Sequence, residues 1–326
     1  MPATTPLPWP EISGWLQHRG YRVREVVPLT GDVSLRRYFR LHLEAAGTAV
    51  LAHYPGELRC TCRRFRHTTR LLQRAGVAVP RVLASECRRG WMLVEDAGGE
   101  TLYETSAGDW EALAPLYRQA ADYVRRICSL SAADVAAVGN PPLDAPLLRW
   151  ELQKTWQRYL LPQGMTGDAA LQRELAAALD RLCEELAALP PLPCHRDFMP
   201  RNLMPRAGEL LVLDHQDLRL GPPAYDLASL LNDSLFPPAA LEEELVAALC
   251  PEPASRQAYR RTVVQRSIKA VGNYCDFAAR GFDRHLPLVA PTLQRAWRWF
   301  PELPELAPLV PRLQPLWAGK AAGAVC

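Results

Sequence analysis

Between Cys194 and Asp226 the chain strings chemistry-bearing side chains along a short stretch. Cys194-His195-Arg196-Asp197-Phe198-Met199-Pro200-Arg201-Asn202-Leu203-Met204 is followed by the apolar run Leu210-Leu211-Val212-Leu213, then Asp214-His215-Gln216-Asp217, then Gly221-Pro222-Pro223-Ala224-Tyr225-Asp226. The spacing His195-x-Asp197-x-x-x-x-Asn202 puts a carboxylate and an amide on one tight loop. Asp214, twelve residues after Asn202, ends an apolar strand and presents a second carboxylate. Phosphoryl transfer from ATP asks for such a set: a group that takes or orients the acceptor's proton, oxygen ligands for magnesium, and positive charge around the phosphates. Magnesium keeps several waters, so one carboxylate and one amide oxygen suffice. In the kinase pattern the loop Asp faces the acceptor, while the loop Asn and the strand-end Asp hold metal. The structural alternative is that Asp197 and Asn202 cap a turn and Asp214 caps a strand end. The joint occurrence of loop, strand and second carboxylate favours chemistry.

The elements that must position these residues fall into two groups. Trp9 to Arg19 reads as a helix stopped by Gly20. Tyr21 to Pro28, Arg37 to Leu43 and Thr48 to His53 alternate apolar and polar residues across turns at Leu29–Ser34 and Gly47, which predicts an antiparallel meander. A helix over Leu58–Ala75 and two further strands, the second ending Trp91–Asp96, complete this part. Ala97-Gly98-Gly99 breaks the pattern, giving expected domains of 1–97 and 98–326. Beyond the break, helices are expected near 109–129, 146–161, 168–188, 226–233, 240–249, 254–281 and 289–299, with Glu209 to Leu213 as the only strand-like piece. The fold class expected is α+β: a bilobal, protein-kinase-like fold with a small antiparallel β-sheet N-lobe and a larger, mostly helical C-lobe.

Composition narrows the partners. The 326 residues suffice for two lobes with real cores, and a net charge of +3 gives no case for nucleic-acid or membrane binding. The nine cysteines form no CxxC pair, and Cys183 and Cys250 sit in apolar context as buried free thiols. The N-terminal residues do not read as a signal peptide and no apolar stretch would span a bilayer, so a reduced, cytoplasmic monomer is expected.

The block His195–Met204, Leu213–Asp217 and Gly221–Leu231 resembles the aminoglycoside phosphotransferase superfamily. Within it, the chain is most similar to the anomeric N-acetylmuramate and N-acetylglucosamine kinases of bacterial cell-wall recycling. That subfamily likeness rests on Gly31-Asp32-Val33-Ser34-Leu35-Arg36-Arg37-Tyr38-Phe39-Arg40, on Leu93-Val94-Glu95-Asp96, and on Gln265-Arg266-Ser267-Ile268-Lys269-Ala270-Val271-Gly272. The resemblance implies Asp197 as catalytic base, Asn202 and Asp214 as magnesium ligands, and ATP as donor. His195 and Asp226 fall to structural support. Gln216 and Asp217 either touch the acceptor or fix the loop.

The chain departs from the kinase pattern in its phosphate grip: the third-strand lysine is missing, the following helix has no acid after Glu57 to pair with one, and the Gly-rich loop is thin. The chain's lysines stand only at Lys154, Lys269 and Lys320, so the third strand, Ala49-Val50-Leu51-Ala52-His53, lacks the phosphate-gripping lysine. Arg37 or Arg40 of the first hairpin is the expected substitute, since guanidinium suits phosphate; the alternative is that both are solvated strand residues. Gly31 and Ser34 are the phosphate-loop candidates, and the backbone from Glu95 to Ala97 would meet adenine. The late helices are basic (Arg256, Arg260, Arg261, Arg266, Lys269 and Arg280), which points away from polycationic acceptors and toward a neutral or acidic sugar, with Arg266 as a substrate-binding candidate. The competing classes are another kinase of the superfamily (aminoglycoside, choline, homoserine or fructosamine type) and a non-catalytic nucleotide-binding module.

Overall fold

The computed structural model describes residues 7–29, 35–45, 47–105, 108–162, 165–206 and 208–317. Gly31 and Ser34, the phosphate-loop candidates, lie outside them.

Helix α1 (Trp9–Gln17) leads into strands β1 (Val23–Leu29), β2 (Arg37–Leu43) and β3 (Thr48–His53), and helix α2 (Arg59–Arg74) into β4 (Val82–Glu86) and β5 (Trp91–Glu95). The strands form one antiparallel sheet in the order β1-β2-β3-β5-β4. Strand alternation sorts its two faces. The cross-strand row Phe39–Leu51–Leu93 packs on Ile12, Trp15 and Leu16 of α1. The rows Tyr38–Ala52–Met92 and Arg40–Val50–Val94 face the other way, toward Cys62 and Phe65 of α2.

The remaining helices are α3 (Leu102–Thr105), α4 (Trp110–Cys128), α5 (Ala132–Ala136), α6 (Ala145–Thr155), α7 (Ala169–Ala187), α8 (Tyr225–Asn232), α9 (Ala239–Leu249), α10 (Pro253–Ala278), α11 (Val289–Trp297) and α12 (Val310–Trp317). Side chains of Asp109, Ser131, Asp144 and Asp168 accept hydrogen bonds from first-turn amides of α4, α5, α6 and α7, which sets where each begins. The expected bilobal α+β architecture is present. Leu71 and Leu72 of α2 share a core cluster with Phe198, Leu203, Val212 and Leu218, so the sheet lobe is anchored in the helical one.

Two expectations need correction. Among the described residues the helical part holds four short strands rather than one: β6 (Leu192–Cys194), β7 (Leu203–Arg206), β8 (Glu209–Val212) and β9 (Arg219–Gly221), paired β6–β9 and β7–β8. Three- and four-residue strands, two of them containing proline, are too short to show a period. The cysteines are also not all thiols, because Cys62 of α2 is disulfide-bonded to Cys87 in the β4–β5 turn. Cys183 and Cys250 are buried and free, as expected. Among the described residues, no helix is long and apolar enough to cross a membrane.

Candidate active site

The β7–β8 hairpin sets the spacing of Asn202 and Asp214. Its register pairs Leu203 with Val212, and beyond the pair Leu213 N–H donates to the Asn202 carbonyl at 2.8 Å. Asn202 immediately before β7 and Asp214 two residues after β8 are therefore neighbours. Asn202 Nδ2 donates to the Asp197 carbonyl at 2.8 Å, which holds the loop and keeps the amide oxygen as the atom a hard cation takes.

The loop is fastened from behind. Asp226, in the first turn of α8, is buried and accepts from two loop amides, His195 N–H at 2.6 Å and Arg196 N–H at 2.9 Å. Its carboxylate thus grips the loop rather than its own helix. Burial pushes its pKa up, against His195 and the two amides. His195 is fully buried, donates Nε2–H to the Leu213 carbonyl at 2.9 Å, and meets the Phe198 ring edge-on. It braces the hairpin against the loop. Arg196 (φ 81°), Asp214 (φ 54°), Ala224 (φ 63°) and Ser234 (φ 62°) are the four non-glycine residues with left-handed backbone among those described, and all lie at or beside this site. Such conformations persist only where surrounding bonds over-determine them.

Asp197, Asn202 and Asp214 line one cavity of about 210 Å³ with Met199, Arg201, Asp233, Arg266, Lys269, Asn273, Tyr274 and Phe277 among its walls. Lys269 Nζ lies 3.0 Å from Glu151 Oε1 and 3.9 Å from Asp197 Oδ1. Burial works to raise the Asp197 pKa, but Lys269, Arg196 and Arg266 outweigh it and hold the carboxyl well below the usual range. Burial likewise opposes ionisation of Glu151, and Lys269 and Arg196 overcome it, to about 2. Lys269 is itself pushed down by burial, against both carboxylates. Arg266 Nη1 donates to the Arg196 carbonyl at 2.8 Å with its guanidinium 4.8 Å from the Tyr225 ring centroid. Glu151 and Lys269 meet because α10 crosses α6 where Gly272 has no side chain; a Cβ there would stand 2.4 Å from Thr155 N.

The other candidates are placed as follows. Gln216 donates to Asp214 Oδ1 at 3.0 Å, and Asp217 accepts from Arg219 at 3.1 Å and Arg196 at 3.5 Å, so both are engaged with the loop. Glu95 accepts from Arg81 (3.2 Å) and Arg206 (2.8 Å), while Ala97 joins Met204 and Leu211 in a small apolar cluster beside it. Arg40 is bound to Asp96 at 2.7 Å and to the Gly98 carbonyl, and Arg37 lies over Phe39 on the α1 face of the sheet. Arg36 reaches Asp214, 2.7 Å away. Of the basic late helices, Arg256, Arg260, Arg261 and Arg280 pair with Glu243, Glu302, Glu305 and Asp276, leaving Arg266 and Lys269 to line the cavity. Sequence reading missed Glu151, Arg201 and Asp233; only Arg201, inside the motif, carried a local signal.

His215 joins the lobes. Its ring lies 4.1 Å from Phe65, and because Thr69 Oγ1 donates to the Phe65 carbonyl at 2.7 Å, it accepts from His215 Nε2–H at 2.8 Å. Helix α2 docks on the loop Asp214–Asp217 through this contact.

A sheet lobe, a helical lobe and a loop carboxylate that shares a cavity with an amide and a second carboxylate form the arrangement of a kinase-like phosphotransferase. The family model described as phosphotransferase enzyme family (APH) matches residues 25–260, and the chain belongs to that family. It is 33% identical over 313 residues to an N-acetylmuramate/N-acetylglucosamine kinase of Pseudomonas aeruginosa, covering 89% of this chain and 88% of the relative. A protein of the same description from Neisseria meningitidis is 28% identical, with 92% and 93% covered. Among solved structures, a choline/ethanolamine kinase family protein from Mesorhizobium loti superposes with a TM-score of 0.61 at 20% identity, over 93% of this chain and 99% of that one. The GDP complex of aminoglycoside 2'-phosphotransferase-IIIa gives 0.62 at 15% identity, over 89% and 97%.

Proposed function

We propose that the protein is an ATP-dependent, magnesium-requiring kinase that phosphorylates the anomeric hydroxyl of N-acetylmuramate or N-acetylglucosamine, acting as a cytoplasmic monomer in cell-wall recycling. The observation that carries this reading is the shared cavity of Asp197, Asn202 and Asp214 in a chain alike over nine-tenths of its length to kinases of those sugars. Asp197 orients the acceptor hydroxyl and takes its proton. The Asn202 amide oxygen and the Asp214 carboxylate fit a hard cation that keeps waters, which would draw charge off the transferring phosphoryl group. Adenine would lie on Ala97, Met204 and Leu211, reached by backbone groups of Glu95 to Ala97. The lobes divide at 97/98, with the nucleotide held by the first and the acceptor by the second.

Purified protein with ATP and magnesium should give an anomeric sugar phosphate, read by phosphorus NMR. Asp197→Asn should cut turnover by at least about a hundredfold while retaining fold and nucleotide affinity. Turnover of choline or aminoglycosides with none of the amino sugars would sink the acceptor assignment. Nucleotide binding without transfer to any acceptor would favour a non-catalytic module.

A further inference from the structure

Kinases set a third-strand lysine against the nucleotide phosphates, and this chain has no lysine before Lys154. Strand alternation decides which arginine can stand in. The positions of β3 on the α2 side of the sheet are Val50 and Ala52, both apolar. On β2, Arg37 shares the α1 side with Phe39 and Leu41, and its guanidinium lies 5.3 Å from the Phe39 ring centroid. Arg40 has the right side, but its two-pronged bond to Asp96 (2.7 and 3.1 Å) fastens it at the hinge. Arg36 has the same side as Tyr38, over whose ring it lies at 6.0 Å, and sits one residue before β2. From there it crosses between the lobes to Asp214, with its side chain only 17% exposed.

We propose that Arg36, which docks on Asp214, is the phosphate grip of this enzyme and replaces the missing lysine. The inference rests on the kinase reading of the site. Phosphates held beside Asp214 must lie within reach of a guanidinium already 2.7 Å from that carboxylate. A guanidinium has five donors in a planar fork and can face a carboxylate and a phosphate together, which a lysine ammonium does less selectively. Partial burial lowers the local dielectric and strengthens the attraction. The contact with Asp214 also pre-positions the side chain, so little rotamer freedom is lost when nucleotide arrives.

The test reads binding rather than turnover. Titration calorimetry would compare magnesium-ATP and adenosine on the wild type, Arg36→Ala, Arg36→Lys and Arg37→Ala. Loss of charged hydrogen bonds predicts magnesium-ATP binding weakened roughly 10- to 100-fold in Arg36→Ala, with partial recovery in Arg36→Lys and unchanged adenosine affinity in both. Wild-type magnesium-ATP affinity in Arg36→Ala would overturn the proposal, as would a larger loss in Arg37→Ala or a parallel loss of adenosine. Should Arg36→Ala not fold, Arg36→Lys decides, because it keeps charge but not the fork: an undiminished affinity there counts against the guanidinium. Failure of the acceptor assignment is separate, since a wild type that binds magnesium-ATP but leaves amino sugars untouched still reports on Arg36.

Discussion

Asp226→Asn is the sharpest perturbation of the loop, because one buried carboxylate holds two consecutive amides, 2.6 and 2.9 Å away. Asparagine keeps one oxygen and turns an NH₂ group toward an N–H donor. The charge-assisted bond lost contributes about 1.5–3 kcal/mol, and the buried N–H left without acceptor costs about 1–3 more. Against this, the neutral amide avoids burying a charge, a cost visible in the upward push on the Asp226 pKa. The lost bond and the unpaired N–H outweigh that relief, so the net expected is roughly 2–3 kcal/mol. Part of it appears as relaxation of Arg196 from its left-handed backbone (φ 81°), which shifts the adjacent Asp197. A displacement on the order of 1 Å costs about a hundredfold in rate. Nucleotide affinity should change less than kcat, because the Leu213–Asn202 bond ties Asn202 to Asp214 directly, although Asn202 also bonds the Asp197 carbonyl. Urea unfolding and steady-state kinetics measure both effects. A variant within about 0.5 kcal/mol of wild-type stability and within about twofold of its kcat would refute the reasoning.

Gly272→Ala should push α10 from α6, since the added Cβ meets the backbone N and Cα of Thr155 at 2.4 and 2.8 Å, and neither can swing away. Overpacking of this kind costs about 1–3 kcal/mol, and kcat should fall with stability as Lys269 is drawn from Glu151; a neutral variant would contradict the helix contact. His215, pushed down to about 3 by burial and then by His195, makes stability pH-dependent. The unfolded chain takes up this proton near the ordinary value of 6.5 while the folded protein resists until about 3, so the contribution is whole above 6.5 and drains as pH falls toward 3. Between pH 7 and 5 the wild type should lose roughly 2 kcal/mol more than His215→Phe, as read by urea midpoints; parallel losses would assign the pH dependence elsewhere.

Much of this arrangement was legible because chemistry and periodicity are local. The strands Arg37–Leu43 and Thr48–His53 show their alternation in six or seven residues, and the motif places Asp197 and Asn202 on one loop by itself. Tertiary pairings leave no such trace. Glu151 and Lys269 are far apart in sequence and meet only because a glycine lets two helices touch. Arg196 is an ordinary loop arginine until Asp226 holds its backbone left-handed. The basic late segment suggested a charged acceptor face, yet Arg256, Arg260 and Arg261 of α10 and Arg280 just beyond it answer three glutamates and an aspartate that do not line the cavity. Strand parity alone separates Arg37 from Arg36 and Arg40, since Phe39 and Leu41 share the parity of Arg37 and pack on the α1 side.

On the kinase reading proposed above, the walls of the cavity bear on which hydroxyl would be served. With Asn202 and Asp214 assigned to metal as proposed above, its remaining charged walls are Asp197 and Asp233 against Arg201, Arg266 and Lys269. Arg201 is tied to Asp233 at 3.1 Å and Lys269 to Glu151, so neither sign is left in large excess. A polycation would find no acidic surface there, whereas a neutral or singly anionic sugar meets paired donors and acceptors beside the rings of Tyr274 and Phe277. The cations that surround Asp197 also make it a weak base. A weak base suits an anomeric hydroxyl, whose carbon also bears the ring oxygen and which is therefore more acidic than an ordinary alcohol. In a loose phosphoryl-transfer transition state the proton leaves late, so under the proposed mechanism orientation of that hydroxyl by Asp197 would matter more than basicity. The same cluster that weakens Asp197 as a base fixes its direction, through Lys269 on one side and the Asp226-held loop on the other.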